Sequence, residues 1–376
     1  MRTPLAWRNV MHNKVRSFIA LSGISFAILL IFMQLGFYAA ARGSATHVYD
    51  ALDFDLLVLS PSYLFVARTS QFPRDRLEQI RGMPGVQLVR PVWIRMGEWR
   101  NPESREHWNI LTLGVEPAQP AFRDAAINEL LPALKVTDTV LSDLVSRPQH
   151  GSLAPGVVSE LQNHRVRVVG RYTIGAGFVA GATMVTSRDT FMRIFPEESP
   201  DRISLGLVRL NPGVAPELAA AELKKRLWPA ATVVTRSELD RSEQYFWLNV
   251  KPIGIMFTSG VLISFIAGAV ILYQVLATEV QNRLREYATL KALGYANSFT
   301  YRVVVRQAVI FAGLGFVPAF FFALVIYSLL RTRALVPVSM EFSRATGVLF
   351  LTGLMCLSAT FLAVRKLRAA DPADLF

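Results

Sequence analysis

The sequence predicts a membrane α-helical protein with four transmembrane helices and a large α+β extracytoplasmic domain between helices 1 and 2. The composition points to this mixture. Of the 376 residues, 52% are hydrophobic, which is too many for an ordinary soluble protein, yet 18% are charged, which is too many for membrane helices alone. One cysteine, Cys356, excludes an internal disulfide framework, and five scattered histidines disfavour a zinc site.

Four apolar runs are each long enough to cross about 30 Å of hydrocarbon, which takes about 20 helical residues. The runs, at residues 17–39, 253–277, 303–330 and 345–364, contain no acidic residue, and their one basic residue, Arg306, lies near an end, where its side chain can reach the interface. The sequence therefore predicts spans at residues 17–40, 251–277, 303–330 and 345–364.

The basic residues indicate the orientation of these spans. Residues 41–250 hold 24 Lys and Arg against 23 Asp and Glu, whereas the rest of the chain holds 16 against 5. The excess flanks the spans, so it is a membrane signature and not a nucleic-acid patch. Cytoplasmic flanks are the Lys/Arg-rich ones, which predicts both termini in the cytoplasm and residues 41–250 in the periplasm. The remaining segments are a coupling loop at 278–302, an external loop at 331–344 and a cytoplasmic tail at 365–376.

Residues 1–16 are predicted to form an amphipathic helix on the inner leaflet. Its interfacial residues are Trp7, Arg8, Lys14 and Arg16. A cleaved signal peptide is the alternative, since alanines at 39–41 offer a cleavage site. The apolar run of 23 residues is longer than the 7–15 of a signal peptide, which favours a retained anchor.

The α+β domain shows strand–helix–strand patterns near both of its ends. They indicate two βαβ-like units and a weak internal repeat, at residues 55–60, 73–82 and 86–94, and again at 203–210, 216–228 and 231–235. Further strands are predicted at 108–115, 166–173 and 182–187. The Gly-rich run 170–181 lacks the Lys-Ser/Thr of a phosphate loop, so a bulged hairpin is the favoured interpretation.

The ends of the domain are predicted to continue the first two spans as helical stalks, at residues 41–49 and 237–250. Tyr245, Phe246 and Trp247 fit an aromatic belt at the outer membrane interface. A domain carried on two such stalks is well placed to move rigidly with the spans, which favours a mechanical role.

The sequence contains no recognisable catalytic motif. None of the seven lysines follows a glycine, so there is no nucleotide-binding P-loop. H-E-x-x-H, C-x-x-C and G-x-S-x-G motifs are absent too. No Asp, Glu or His lies within the apolar runs, which argues against a proton relay or an ion-coupled carrier.

The loop between the second and third spans is the most informative segment. Glu279 and Arg283 form an i,i+4 pair that supports a helix, and Gly294 then breaks it. A short helix across the inner membrane face could dock a cytosolic partner. An ordinary basic juxtamembrane loop is the alternative.

The run REYATLKALGY, from Arg285 to Tyr295, resembles the R-E-I-A-x-L-R-A-L-G-A signature of FtsX/MacB-type permeases. The ending AADPADL and the leader LAWRNV followed by NKVRS are similar to theirs. VRVVGRYTIGAG at 166–177, Tyr273-Gln274 and the tyrosines Tyr287 and Tyr295 resemble the DevC branch of these permeases.

The resemblance implies the membrane subunit of an ABC exporter in the inner membrane, working as a homodimer with two copies of a separate cytosolic ATPase. That ATPase would bind ATP and Mg, so no cofactor, metal or catalytic residue is expected in this chain. The residues implied to meet the ATPase are Arg285, Glu286, Tyr287, Lys291, Gly294, Tyr295 and Asn297.

DevC-type permeases further imply a periplasmic adaptor (membrane-fusion) protein, a TolC-like outer-membrane channel and export of a lipid, glycolipid or other amphiphile. In a MacB-like mechanism, ATP-driven motion is transmitted to the periplasmic domain. Two alternatives stay open. One is an FtsX-like regulator that activates an extracytoplasmic enzyme, and the other is a membrane-anchored enzyme with an acid/base cluster in residues 41–250.

Overall fold

The protein is represented by a computed structural model that describes residues 14–175, 177, 181–282 and 297–369. The chain divides into two compact units. The helical unit comprises Met1–Ala39, Ile253–Leu330 and Val338–Phe376, and the sheet domain comprises Ala40–Pro252 and Arg331–Pro337.

The described residues form nine α-helices and eleven β-strands. The helices α1 to α9 are Lys14–Ala51, Asp75–Arg81, Ala125–Leu130, Arg188–Ile194, Pro216–Leu227, Arg236–Tyr245, Ile253–Asn282, Asn297–Arg333 and Phe342–Ala369. The strands β1 to β11 are Leu56–Leu59, Phe72–Pro73, Val86–Arg100, His107–Val115, Thr139–Asp143, Val158–Leu161, His164–Tyr172, Thr183–Ser187, Arg202–Ile203, Leu205–Leu210 and Thr232–Thr235.

Four of the helices, α1, α7, α8 and α9, are long and apolar enough to cross a membrane. With the sheet-rich domain between the first two, they confirm the predicted fold class. Apolar side chains from all four build the core of the helical unit, among them Ile28, Leu272, Phe311 and Met355. Glycine allows close approach at one point, where Gly36 of α1 lies against the Tyr327 ring of α8.

The sheet domain is built on nine strands in the order β11-β1-β10-β3-β4-β8-β5-β7-β6. β10 lies antiparallel between β1 and β3, and β1 lies antiparallel between β10 and β11. The two predicted βαβ-like units, β1-α2-β3 and β10-α5-β11, are therefore each split by a strand of the other, as in the split βαβ of ferredoxin-like folds. The weak internal repeat corresponds to these interleaved halves.

The longest strand, β3, joins this four-stranded part to a second part of the sheet. Its first half pairs with β10 and its second half with β4. From β4 the sheet continues through β8, β5, β7 and β6, and a pairing of Trp99 with Leu161 brings β6 back to β3. The second part is thus closed on itself like a small barrel.

The bulged hairpin predicted for residues 170–181 is wrong. β7 ends at Tyr172 and β8 begins at Thr183, but β5 lies between them and pairs with both. An irregularity typical of a β-bulge does occur at the start of this run, because the β5–β7 register shifts between Val140 and Leu141, opposite Gly170. The strand that separates β7 from β8 comes from about 30 residues earlier in the chain, so local pattern could not reveal it.

Helices cover both faces of the sheet. Leu77 of α2 and Leu223 of α5 pack with Val58 and Val208 on one face. On the other, Tyr49 and Leu52 at the end of α1 pack with Leu57, Leu207 and Leu239. The end of α1 and the helix α6 are therefore part of the domain core.

We predict that Gly114→Ala destabilises the sheet domain by about 1–3 kcal/mol, because overpacking a filled core forces side chains off their rotamers. A Cβ at Gly114 would lie 2.8 Å from Cγ and 2.9 Å from Cβ of Phe191 on α4. The measurement is the thermal unfolding midpoint of the full-length protein in detergent. Gly82→Ala is the matched control, because no atom lies within 4 Å of its added Cβ; equal midpoints for the two variants would contradict the prediction.

Candidate functional site: the stalk clamp

Most residues predicted to meet the ATPase or the inner leaflet lie outside the described residues. This is the case for Arg285, Glu286, Tyr287, Lys291, Gly294, Tyr295, Trp7 and Arg8. Lys14 begins α1, Arg16 lies in its first turn, and Asn297 begins α8. Their predicted roles stay predictions.

Helices do occupy the stretches predicted as stalks. α1 runs without interruption to Ala51, and α6 continues into a π-helical turn at Phe246–Val250. α6 starts directly after β11 with a capping box, in which Thr235 and Glu238 each bond to the backbone of the other. This fixed start determines which α6 side chains face α1.

Hydrogen bonds join the two stalks within the sheet domain. The Nε of Arg42 on α1 donates to Oε1 of Gln244 on α6 at 2.8 Å. Farther along, Arg236 donates to the backbone oxygen of Leu52 at 3.0 Å and forms an ion pair of 3.4 Å with Asp50. The Arg236 guanidinium also lies 4.1 Å from the ring centre of Phe54.

Between these two contacts lies a buried cluster of Tyr49, Tyr63 and Glu243. The Glu243 side chain, 1% exposed, accepts hydrogen bonds from the hydroxyls of Tyr63 and Tyr49, the latter at 3.3 Å. The two hydroxyl oxygens also lie within hydrogen-bonding distance of each other. We call Arg42, Tyr49, Tyr63, Arg236, Glu243 and Gln244 the stalk clamp.

Burial makes Glu243 a proton-binding group near neutral pH. Loss of hydration raises the pKa of its carboxyl from 4.5 to about 7, and the hydrogen bonds from Tyr63 and Tyr49 offset only part of that rise. The backbone N–H of Val66 and the side chain of Trp247 lower this pKa by a smaller amount. A proton on this carboxyl lets the clamp hold together without a buried charge.

The other deeply buried acid, Asp143, has a structural role. Its carboxylate accepts hydrogen bonds from the backbone N–H of Gly175 at 2.7 Å and from the Thr183 hydroxyl at 3.0 Å. Gly175 has a φ of +108°, which explains a glycine there. Asp143 thus anchors the start of the Gly-rich run. Within the described ranges, no three His, Cys, Asp or Glu side chains are placed to hold a metal ion.

Sequence reasoning missed the clamp residues Tyr49, Tyr63 and Glu243. Tyr63 lies 180 positions from Glu243, and neither stands in a recognisable motif. The sequence contained one indication of this cluster. Glu243 is an acidic residue close to the aromatic residues at 245–247, and an unpaired charge is disfavoured in such apolar surroundings.

These features define a multi-pass membrane protein whose sheet-rich domain is inserted between its first two spans. Two family models match the chain, MacB-like periplasmic core domain over residues 17–226 and FtsX-like permease C-terminal over residues 255–372. The chain belongs to the FtsX/MacB-like family of ABC permeases, which are non-catalytic transporter subunits. The family predicted from sequence is confirmed, whereas neither model distinguishes the DevC branch.

Two of the solved structures that are similar to the chain are extracytoplasmic domains. The periplasmic region of MacB from Actinobacillus actinomycetemcomitans is 9% identical, with a TM-score of 0.37, covering 52% of this chain and 94% of that one. The extracellular domain of the noncanonic ABC-type transporter YknZ from Gram-positive bacteria is 14% identical, with a TM-score of 0.33, covering 48% and 99%. No curated protein sequence matches significantly. The family assignment therefore rests on the two family models.

We predict that the free energy of unfolding falls by about 3 kcal/mol between pH 4.5 and 7 because of Glu243. In that range the unfolded chain releases the Glu243 proton while the folded chain retains it, so rising pH favours unfolding. Above a pH of about 7 both states are ionised and this contribution is constant. Glu243→Gln, which stays neutral, removes this fall.

The measurement is chemical unfolding of the full-length protein in detergent at pH 5 and pH 8, followed by tryptophan fluorescence. Glu222→Gln, on the exposed side of α5, is the control and keeps the wild-type difference between the two pH values. A Glu243→Gln protein with an unchanged difference would refute the assignment.

Proposed function

We propose that this chain transmits ATP-driven motion from a separate cytosolic ATPase to its periplasmic domain, as the permease subunit of an exporter. The observation that carries the proposal is the stalk clamp. It joins the two segments, 40–51 and 236–250, that connect the sheet domain to the first two spans.

Helix α1 supports this role because it is one uninterrupted helix of 38 residues. Tyr49 and Leu52, at and just after its end, have no exposed surface. Since protein cores are close-packed and resist local deformation, a tilt or shift of this end displaces the sheet with it. The clamp then imposes the same displacement on α6.

The composition of the spans supports transmission over passage of the substrate between the helices. The apolar runs contain no Asp, Glu or His, and their one basic residue lies near an end. A polar substrate pathway through a membrane is normally marked by such groups. The exported molecule on this proposal is an amphiphile, such as a lipid or glycolipid.

The finer assignments follow from the DevC resemblance and the Lys/Arg distribution. We propose a homodimer in the inner membrane with both termini in the cytoplasm, and two ATPase copies that bind ATP and Mg. A periplasmic adaptor and a TolC-like outer-membrane channel complete the assembly. The ATPase-contacting residues on this proposal are Arg285, Glu286, Tyr287, Lys291, Gly294, Tyr295 and Asn297.

We predict that a mild-detergent pull-down of the tagged full-length protein captures an ABC ATPase together with an adaptor protein, both identified by mass spectrometry. Capture of an ATPase with a cell-wall hydrolase would instead indicate an FtsX-like regulator. Absence of any ATPase, with the protein intact and folded, would contradict both functions.

We predict that Glu286→Lys uncouples ATP hydrolysis from export, because it reverses the charge of the signature acid at the proposed ATPase contact. Export falls about tenfold, equivalent to about 1.4 kcal/mol of coupling free energy, while expression is unchanged. ATP hydrolysis and export are measured on the complex in vesicles. Glu279→Lys, outside the signature run, is the control, and normal export from Glu286→Lys would remove the proposed role.

A further inference from the structure

The loop after β1 carries an exposed apolar side chain on a rigid support. Two tight turns shape the loop, with backbone bonds from Tyr63 N to Ser60 O and from Arg68 N to Phe65 O. Between them Leu64 is 48% exposed. We call residues 61–68 the tip loop.

Aromatic stacking fixes the tip loop to the second stalk. The Phe65 ring stacks on Phe246 with centres 4.7 Å apart and meets Trp247 edge-on at 5.4 Å. Tyr63 is bonded to Glu243 one turn earlier in α6. Leu64 therefore lies between Tyr63 and Phe65, whose side chains are both fixed to the second stalk. These contacts hold the exposed Leu64 in a defined position.

Two basic residues lie in the same region as Leu64 in the fold. Arg68 in the tip loop and Lys251, just after the π-helical turn, are both exposed. Neither forms an ion pair in the part of the chain that the structure describes. An apolar tip with unpaired Lys and Arg nearby is the combination that binds at the boundary between acyl chains and anionic headgroups.

Chain connectivity limits the distance between the end of the π-helical turn and the start of the membrane-spanning helix α7. Val250 is three residues before Ile253, the first residue of the membrane-spanning helix α7. Consecutive Cα atoms are about 3.8 Å apart, so these two Cα atoms are at most about 11 Å apart. The headgroup layer on each side of a bilayer is roughly 5–8 Å thick. The turn that supports Phe65 therefore ends within reach of that layer.

We propose that the tip loop binds the outer surface of the same membrane, with Leu64 inserted among lipid acyl chains and Arg68 and Lys251 on lipid phosphates. This lipid contact is independent of the ATPase and of the exported molecule. It gives the sheet domain a second attachment to the bilayer besides its covalent stalks.

The test measures the depth of a nitroxide label on the full-length protein in vesicles of phosphatidylethanolamine and phosphatidylglycerol. Cys356, the one native cysteine, is first changed to Ser, and Leu64→Cys is then labelled. Leu218→Cys is the control, because Leu218 is 76% exposed on α5, which packs on the sheet face opposite to the end of α1. Electron paramagnetic resonance compares relaxation by oxygen, which concentrates in lipid, with relaxation by a water-soluble nickel chelate.

We expect the Leu64 label to be relaxed mainly by oxygen and the Leu218 label mainly by nickel. Adding Arg68→Glu and Lys251→Glu shifts the Leu64 label toward nickel. A Leu64 label as accessible to nickel as the Leu218 label would overturn the proposal. Shielding of the Leu64 label from both reagents would also overturn it, because a protein surface, such as a second copy of the chain, would then cover the loop.

Discussion

Burial of the end of α1 in the core of the sheet domain is the constraint on which the other features depend. Tyr49 and Leu52 are fully buried against β-strand residues such as Leu57 and Leu207. The same helix begins at Lys14, within the helical unit. One continuous helix therefore provides both a membrane span and part of the core of the sheet domain.

This constraint explains the chemistry of the clamp. A buried contact between the two stalks needs hydrogen bonds to fix its geometry, but an ionised pair in that position would carry a large desolvation penalty. Tyr49, Tyr63 and Glu243 provide the directional bonds, and the raised pKa of Glu243 allows the cluster to be neutral. The ion pair of Arg236 is instead made with Asp50, whose side chain is 55% exposed. The buried cluster can therefore form specific hydrogen bonds without an ionised group.

The sequence predicted what is encoded locally. Apolar runs marked the spans, and caps, glycines and alternation located β1, α2, β10 and α5 within a few residues. The sequence could not predict the pairing of the strands. β10 lies between β1 and β3 in the sheet, although more than 100 residues separate β3 from β10 in the chain. The hairpin error and the missed clamp have the same cause. Both depend on contacts between distant segments, such as Leu141 with Gly170 or Tyr63 with Glu243.

The length of α1 supports the proposed mechanical transmission. At 1.5 Å per residue, its 38 residues extend about 57 Å, whereas the hydrocarbon core is about 30 Å thick. Nearly half of the helix therefore lies outside hydrocarbon, and no proline interrupts it. A kinked or broken helix would absorb a tilt at the break, but an unbroken one carries the tilt to its buried end. On the proposed mechanism, a displacement at Tyr49 reaches α6 through the hydrogen bond from Tyr49 to Glu243.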